Sequence, residues 1–185
     1  MACFHLIGKT KIGDYVKKVL KGIYLVIAGL VAAILIYPFT HELGHLTAAW
    51  IAGAEIYEFN LLPIPNVLCK FDSVNLKSVI LVGFGGLLFP VIFVGVKPPK
   101  VFFLWYLWLA VKCICVLSFC VSFWALIFYQ TELGIPSDDM TLVMQFAPQY
   151  RPLYLGVIIG FLAITLMQLK YSKLFDRCTK YFDVQ

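Results

Sequence analysis

The chain has 185 residues, of which 62% are hydrophobic and 14% are charged, and its formal net charge is +5. Soluble domains contain roughly 45–50% apolar and about 25% charged residues, so this composition excludes an ordinary soluble domain. A membrane-spanning helix needs about 20 mainly apolar residues, and four such stretches are present. We therefore predict an all-α polytopic membrane protein with a single domain over 1–185 and spans at about 22–54, 78–96, 101–129 and 153–169.

The first predicted span is longer than a bilayer requires and contains Pro38. Proline removes one helical hydrogen bond and clashes with the preceding turn, so we expect a kink at this position. The lysines before the span give this region some likeness to a signal peptide. The apolar run is longer than the 7–15 residues of a signal-peptide core, however, and is interpreted as a retained helix.

The distribution of positive charge predicts how the chain is oriented in its membrane. The positive-inside rule places both termini in the cytoplasm, and the charge does not indicate a nucleic-acid partner. A compact multi-span chain favours the plasma membrane of a prokaryote. Basic residues are concentrated before the first span, between the second and third spans, and after the fourth: Lys9, Lys11, Lys17, Lys18, Lys21, Lys97, Lys100, Lys170, Lys173, Arg177 and Lys180.

The first span contains the sequence HELGH, with His41, Glu42 and His45. Residues four apart lie on one face of a helix, so both imidazoles can bind one metal ion, while Glu42 can act as a general base. An ionised side chain in mid-membrane costs roughly 2.5–3.5 kcal/mol. A bound divalent cation offsets that cost, so we predict a metal site rather than polar residues that serve only helix packing.

A catalytic zinc ion usually has three protein ligands. His5 is a poor candidate because about one hydrocarbon thickness of helix separates it from His41. Asp138 and Asp139 follow the third span on the predicted extracytoplasmic side, and we expect one of them to be the third ligand, with Asp138 favoured. Alternatively, Ser137 or Asp138 is the N-cap of a short helix over the sequence TLVMQF.

Two further features are candidates for substrate binding. The segment Glu55–Asp72 contains two strand-like runs around Pro63-Ile64-Pro65 and predicts either a β-hairpin or an interfacial loop. The edge of a hairpin can pair with an extended substrate strand. Lys112 lies near the middle of the third span, where its side chain snorkels, pairs with a carboxylate or stabilises an oxyanion; because snorkelling from that depth is hard, we expect an internal partner.

The HELGH motif in the first span and an aspartate after a later span resemble the site-2 protease family of intramembrane zinc metalloproteases. The resemblance covers the four-helix body in a minimal form, and residues 83–90 and the hairpin fit it more loosely. It implies that His41 and His45 bind zinc and that Glu42 is the catalytic base. The family's second motif is similar to residues 136–139, which makes Asp138 the matching ligand, but Asp139 replaces the family's glycine and its upstream asparagine is absent.

These observations predict a zinc-dependent membrane endopeptidase with one Zn²⁺ per chain. Its partners would be the lipid bilayer and a transmembrane or membrane-associated peptide, whose bonds Glu42 would help to hydrolyse by activating a water. One alternative is a membrane-embedded zinc hydrolase of a lipid or lipidated peptide. A second is a non-catalytic metal-binding membrane protein, which would need no general base at Glu42. The physiological substrate and the oligomeric state stay open.

Overall fold

The computed structural model describes residues 2–60, 66–70, 76–135 and 138–183, with side chains from residue 13 onward. It is mainly helical, with one two-stranded antiparallel sheet after the first helical segment, as predicted. The elements in chain order are α1 (Ala2–Val31), a π-helical turn (Ala32–Ile36), α2 (Tyr37–Ile51), β1 (Glu55–Asn60), β2 (Asn66–Lys70), α3 (Leu76–Phe93), α4 (Phe102–Ile127), α5 (Asp139–Phe146), a 3-10 turn (Pro148–Tyr150), α6 (Arg151–Lys170) and α7 (Leu174–Asp183).

Four helical segments of the described chain are long and apolar enough to cross a membrane, which is consistent with an integral membrane protein. Large apolar side chains, including Val26, Leu104 and Leu117, point outward from these segments. Lipid tails solvate such side chains, so a membrane protein can expose them without the penalty that water imposes. The four segments are Gly13–Ile51, Leu76–Phe93, Phe102–Ile127 and Pro148–Asp183.

The first segment is one continuous helix that begins well before the predicted position 22. Helical backbone continues through the π-helical turn, where the Tyr37 amide donates to the carbonyl of Ala32. Pro38, the expected kink site, lies two residues after this turn and lacks an N–H group. The Thr40 hydroxyl, fully buried, bonds the carbonyl oxygens of Ile36 and Tyr37 at 2.9 and 3.0 Å. The hydrogen-bond pattern of the helix therefore changes one turn before the HELGH sequence.

Helices α2 and α3 make a close backbone contact at Gly44 and Gly85. A Cβ atom on Gly44 would lie 2.2 Å from the carbonyl oxygen of Gly85, and one on Gly85 would lie 2.6 Å from that of Gly44. Only glycine allows this approach, which is how small residues let membrane helices pack closely. As a result, the glycine-rich part of α3, residues 83–86, packs against the face of α2 that contains the histidines.

The buried core lies between α3, α4, α5 and α6. Apolar side chains of all four helices, together with Ala32 of the π-helical turn, form this core. The packing of α5 on both α3 and α4 matters most for function, because α5 begins at Asp139. Core side chains include Phe84, Leu87, Val111, Cys115, Phe119, Met140, Val143, Tyr154 and Ile158.

The predicted β-hairpin is confirmed in the residues that are described. Strands β1 and β2 pair antiparallel, with Glu55 opposite Lys70 and Asn60 opposite Asn66, and a bulge interrupts the register near Glu58. Both strands are largely exposed. Pro63-Ile64-Pro65 and Asp72 lie outside the described residues. The hairpin follows α2 directly and therefore lies at the end of the bundle toward which the HELGH sequence runs.

Candidate metal centre

The two histidines of HELGH face one another on α2. Their Nε2 atoms are 3.1 Å apart, and the rings meet edge to face with centroids 4.7 Å apart. The Nδ1 atom of His45 lies 2.8 Å from the carbonyl oxygen of Val82 in α3. A carbonyl can only accept, so Nδ1 of His45 carries a proton. Nε2 faces Asp139 and His41, and once it loses its own proton its lone pair is free for a metal ion. Metal-binding histidines are held by this kind of hydrogen bond.

Asp139 completes the cluster from a different helix. Its Oδ2 atom lies 3.3 Å from the Nε2 atoms of both His41 and His45. All three side chains are mostly buried, with exposed fractions of 20% for His41, 12% for His45 and 26% for Asp139. Asp139 is the first residue of α5, and the packing of α5 on α3 brings it to the histidines.

Asp138, the favoured third ligand in the sequence-based prediction, occupies a different position. It is the N-cap of α5, and its Oδ1 accepts a hydrogen bond from the Met140 amide at 2.9 Å. Its Oδ2 accepts one from the Ser122 hydroxyl of α4 at 3.0 Å. Both carboxylate oxygens are thus engaged within the protein. The geometry favours Asp139, the predicted alternative, and gives Asp138 the capping role that was weighed against ligation.

The two aspartates also differ in their electrostatic surroundings. Burial raises the pKa of Asp138, and its hydrogen bonds to Met140 and Ser122 only partly offset that effect. Burial would raise the pKa of Asp139 as well, but the hydrogen bonds to His41 and His45 outweigh it and hold the pKa below its usual range. The lowered pKa keeps Asp139 ionised, as a metal ligand must be.

The three facing atoms fit one metal ion of the size of zinc. Two ligands about 2.0–2.1 Å from a tetrahedral zinc ion lie about 3.3–3.4 Å from one another. The separations among His41 Nε2, His45 Nε2 and Asp139 Oδ2 are 3.1, 3.3 and 3.3 Å. Ligand atoms of His41, Glu42 and His45 also lie within 4.8 Å of one another. This donor set can hold a divalent cation, with Glu42 beside it.

Gly86 in α3 provides the space that the imidazoles occupy. A Cβ atom at this position would lie 2.3 Å from His45 Nε2 and 2.8 Å from His41 Cε1. Any other residue would therefore displace the rings. From sequence, Gly86 was recognised only as part of the small-residue run at 83–90. Its link to the histidines could not be read from that run, because glycines are common in membrane helices.

His41 and His45 are not equally held. The Nδ1 atom of His41 is buried and has no hydrogen-bond partner among the described residues, whereas that of His45 is held by Val82. The Tyr37 ring lies against the His41 ring, with centroids 5.8 Å apart. His41 is thus oriented by packing against Tyr37 and by its Nε2 contact with Asp139, without a hydrogen bond at Nδ1. Neither Val82 nor Tyr37 carries a sequence signal that would have identified it as a neighbour of the site.

Lys112 is fully buried and contacts α3. Its Nζ donates to the carbonyl oxygen of Val91 at 2.9 Å and lies 5.8 Å from the centre of the Trp108 ring. Val91 lies in the last turn of α3, where carbonyls lack helical partners. Ten residues of α4, about 15 Å, separate Lys112 from Ser122. The expected internal partner is therefore a backbone carbonyl, and a role for Lys112 in substrate binding or oxyanion stabilisation stays a prediction.

Two predicted features cannot be placed against the metal centre. The side chain of His5 lies outside the described side chains. The hairpin is present, but its role in substrate binding stays a prediction.

Comparison of the chain with protein-family models, with curated proteins and with solved structures finds no match. The likeness to the site-2 protease family therefore depends on the sequence motifs and the predicted spans described above.

Proposed function

We propose that this protein is an integral-membrane zinc metalloprotease that hydrolyses peptide bonds of transmembrane or membrane-associated substrates. The observation that carries the proposal is the convergence of His41 Nε2, His45 Nε2 and Asp139 Oδ2 at 3.1–3.3 Å, from two helices far apart in sequence. Glu42 follows His41 directly, which is where a general base belongs in this motif.

His41, His45 and Asp139 would hold one zinc ion per chain. A bound zinc ion would polarise the scissile carbonyl and make a water molecule more acidic. Glu42 lies about 100° around the helix from His41, beside the ligand face rather than on it. From there its carboxylate accepts a proton from the attacking water and then donates it to the leaving amine. A protein that only stores or senses metal would not need a general base at this position.

An apolar groove beside the site is a suitable approach for a membrane substrate. It lies between α2 and α3 and includes Gly44, Ala48, Phe84 and Phe89 among its lining residues. A helix in the bilayer protects its peptide bonds by hydrogen bonding within itself, so a substrate must unwind before hydrolysis. The exposed edges of β1 and β2 are suited to bind the unwound strand through its backbone.

The orientation of the chain is part of the proposal. The lysines and arginine of the basic end favour a cytoplasmic location for both termini. The metal centre would then lie nearer the extracytoplasmic side of the membrane, with α5 and the hairpin. We favour the plasma membrane of a prokaryote. A cysteine introduced at Ile135 should react with a membrane-impermeant thiol reagent added outside intact cells, and protection there combined with labelling of inverted vesicles would reverse the orientation.

The decisive experiment compares wild type with Glu42→Gln. Both proteins are purified in detergent, loaded with zinc and mixed with transmembrane peptides, lipidated peptides and phospholipids, and the products are identified by mass spectrometry. We expect peptide cleavage by wild type only, with about one zinc per chain retained in both proteins. Ester or acyl-amide cleavage without peptide products would instead indicate the lipid-directed hydrolase. Cleavage that persists in Glu42→Gln would refute the role of Glu42.

A further inference from the structure

An open cleft lies at the other end of the bundle, between the start of α4 and α7. It encloses about 730 Å³ of empty space, part of it open to solvent. Three of its five lining residues are cationic and none is acidic. The lining residues are Lys100, Phe102, Arg177, Lys180 and Tyr181.

The walls of this basic cleft are held in place by specific contacts. The rings of Phe102 and Tyr181 stack with centroids 3.9 Å apart and planes within 2° of parallel. The Arg177 side chain donates to the carbonyl oxygen of Pro99 at 2.8 Å, and its guanidinium lies 5.3 Å from the centre of the Trp105 ring. These contacts fix α7 against the α3–α4 connection. The cleft is thus a built feature of the tertiary structure.

The cations of the cleft lack an acidic counterpart. Lys100 and Lys180 are exposed, and neither forms an ion pair within the part of the chain that the structure describes. Arg177 uses one of its five N–H donors on Pro99. Like charges that share a small space repel one another, so an anion bound between them would relieve this repulsion and find several donors at once.

The location of the cleft points to a lipid as the source of that anion. Phe102 begins the apolar helix α4, and α7 directly follows the apolar helix α6. Tyr171 and Phe175, which lie close to Arg177 and Lys180 in sequence, are exposed aromatic residues, as is common where helices leave the bilayer. We propose that the basic cleft binds the phosphate of an anionic phospholipid from the surrounding leaflet. This proposal does not depend on proteolytic activity or on the metal centre.

The test uses the full chain in nanodiscs of phosphatidylcholine with or without phosphatidylglycerol. Bound phosphatidylglycerol is counted by native mass spectrometry, and thermal unfolding is recorded in parallel. The variant Lys100→Gln with Lys180→Gln removes two cleft charges and leaves Arg177, which holds α7 in place. Its control, Lys17→Gln with Lys18→Gln, removes two exposed charges of α1 before the first apolar run.

We expect wild type and the control to retain phosphatidylglycerol and to be stabilised by it. The cleft variant should bind it at least about tenfold more weakly, equivalent to about 1.4 kcal/mol. Equal weakening in both variants would overturn the proposal, because it would mean general attraction to an anionic surface. Equal stabilisation by millimolar inorganic phosphate in phosphatidylcholine discs would also overturn it. If the cleft variant unfolds early in phosphatidylcholine alone, the single variant Lys100→Gln must still show about threefold weaker binding.

Discussion

Replacing Gly86 by alanine should disable metal binding at the proposed centre without unfolding the protein. The new Cβ atom would lie 2.3 Å from His45 Nε2, 2.7 Å from His45 Cε1 and 2.8 Å from His41 Cε1. Ordinary contact begins at 3.4 Å. Because the atoms in the way belong to the ends of two side chains and not to backbone, the imidazoles can turn aside. The substitution therefore distorts the histidine cluster and leaves the packing of α2 against α3 in place.

The displacement is large compared with the tolerance of a metal site. The His45 ring must move by about 1 Å, whereas zinc–ligand distances are kept within about 0.2 Å. Losing a single supporting contact around a ligand typically lowers metal affinity about 10–100-fold. Since Gly86→Ala displaces atoms of both histidines, we expect zinc affinity to fall by at least about 100-fold. The midpoint of thermal unfolding, measured without metal, should change little.

The assay is zinc content and competitive zinc titration of monodisperse protein in detergent, with two control variants. Gly160→Ala in α6 meets no atom within 4 Å and should retain zinc fully. Gly85→Ala would place its Cβ 2.6 Å from the backbone of Gly44, so it should lower stability sharply by forcing two helices apart. Wild-type zinc affinity in Gly86→Ala would refute the argument that these imidazoles converge on a metal.

Three other outcomes are expected. Asp139→Asn should reduce zinc affinity at least about tenfold. Asp138→Asn should leave zinc affinity within about twofold of wild type, since asparagine also caps helices. The reverse order in zinc titrations would make Asp138 the ligand. Ser122→Ala should lower thermal stability by about 1 kcal/mol through its lost hydrogen bond to Asp138, and an unchanged unfolding midpoint would contradict this. Lys112→Ala should lower the free energy of unfolding by at least about 2 kcal/mol, because it leaves a cavity and an unpaired Val91 carbonyl. Its zinc content should stay normal, and loss of zinc would place Lys112 in the site.

Several features could be predicted because they are local in the chain. Apolar runs of sufficient length predict membrane helices, and the spacing of His41, Glu42 and His45 places the imidazoles on one face whatever the rest of the protein does. The hairpin and the short helix after Asp138 were also predictable, since turn residues and capping residues act over a few positions. Even so, the first helix begins earlier than its apolar run, because helical hydrogen bonding continues through residues that hydropathy alone does not select.

Sequence alone could not decide between Asp138 and Asp139. The family resemblance favoured Asp138, while the structure places that side chain on the Ser122 hydroxyl and the Met140 amide and directs Asp139 to the histidines. Adjacent residues at a helix start point in different directions, and which one faces α2 depends on how α5 docks on α3 and α4. That docking is a long-range packing event without a sequence signal of its own.

The sequence by itself determined the membrane class, the four apolar segments, the His–Glu–His cluster and the concentration of basic charge at one end. Only the tertiary structure decided which residues of other helices those residues contact. Gly86 opens space for two imidazoles, Lys112 bonds a carbonyl at the end of α3, and the basic cleft forms where α7 returns to α4. The physical reason is that composition and spacing act within one helix, whereas a binding site is defined by distances between helices that only packing establishes.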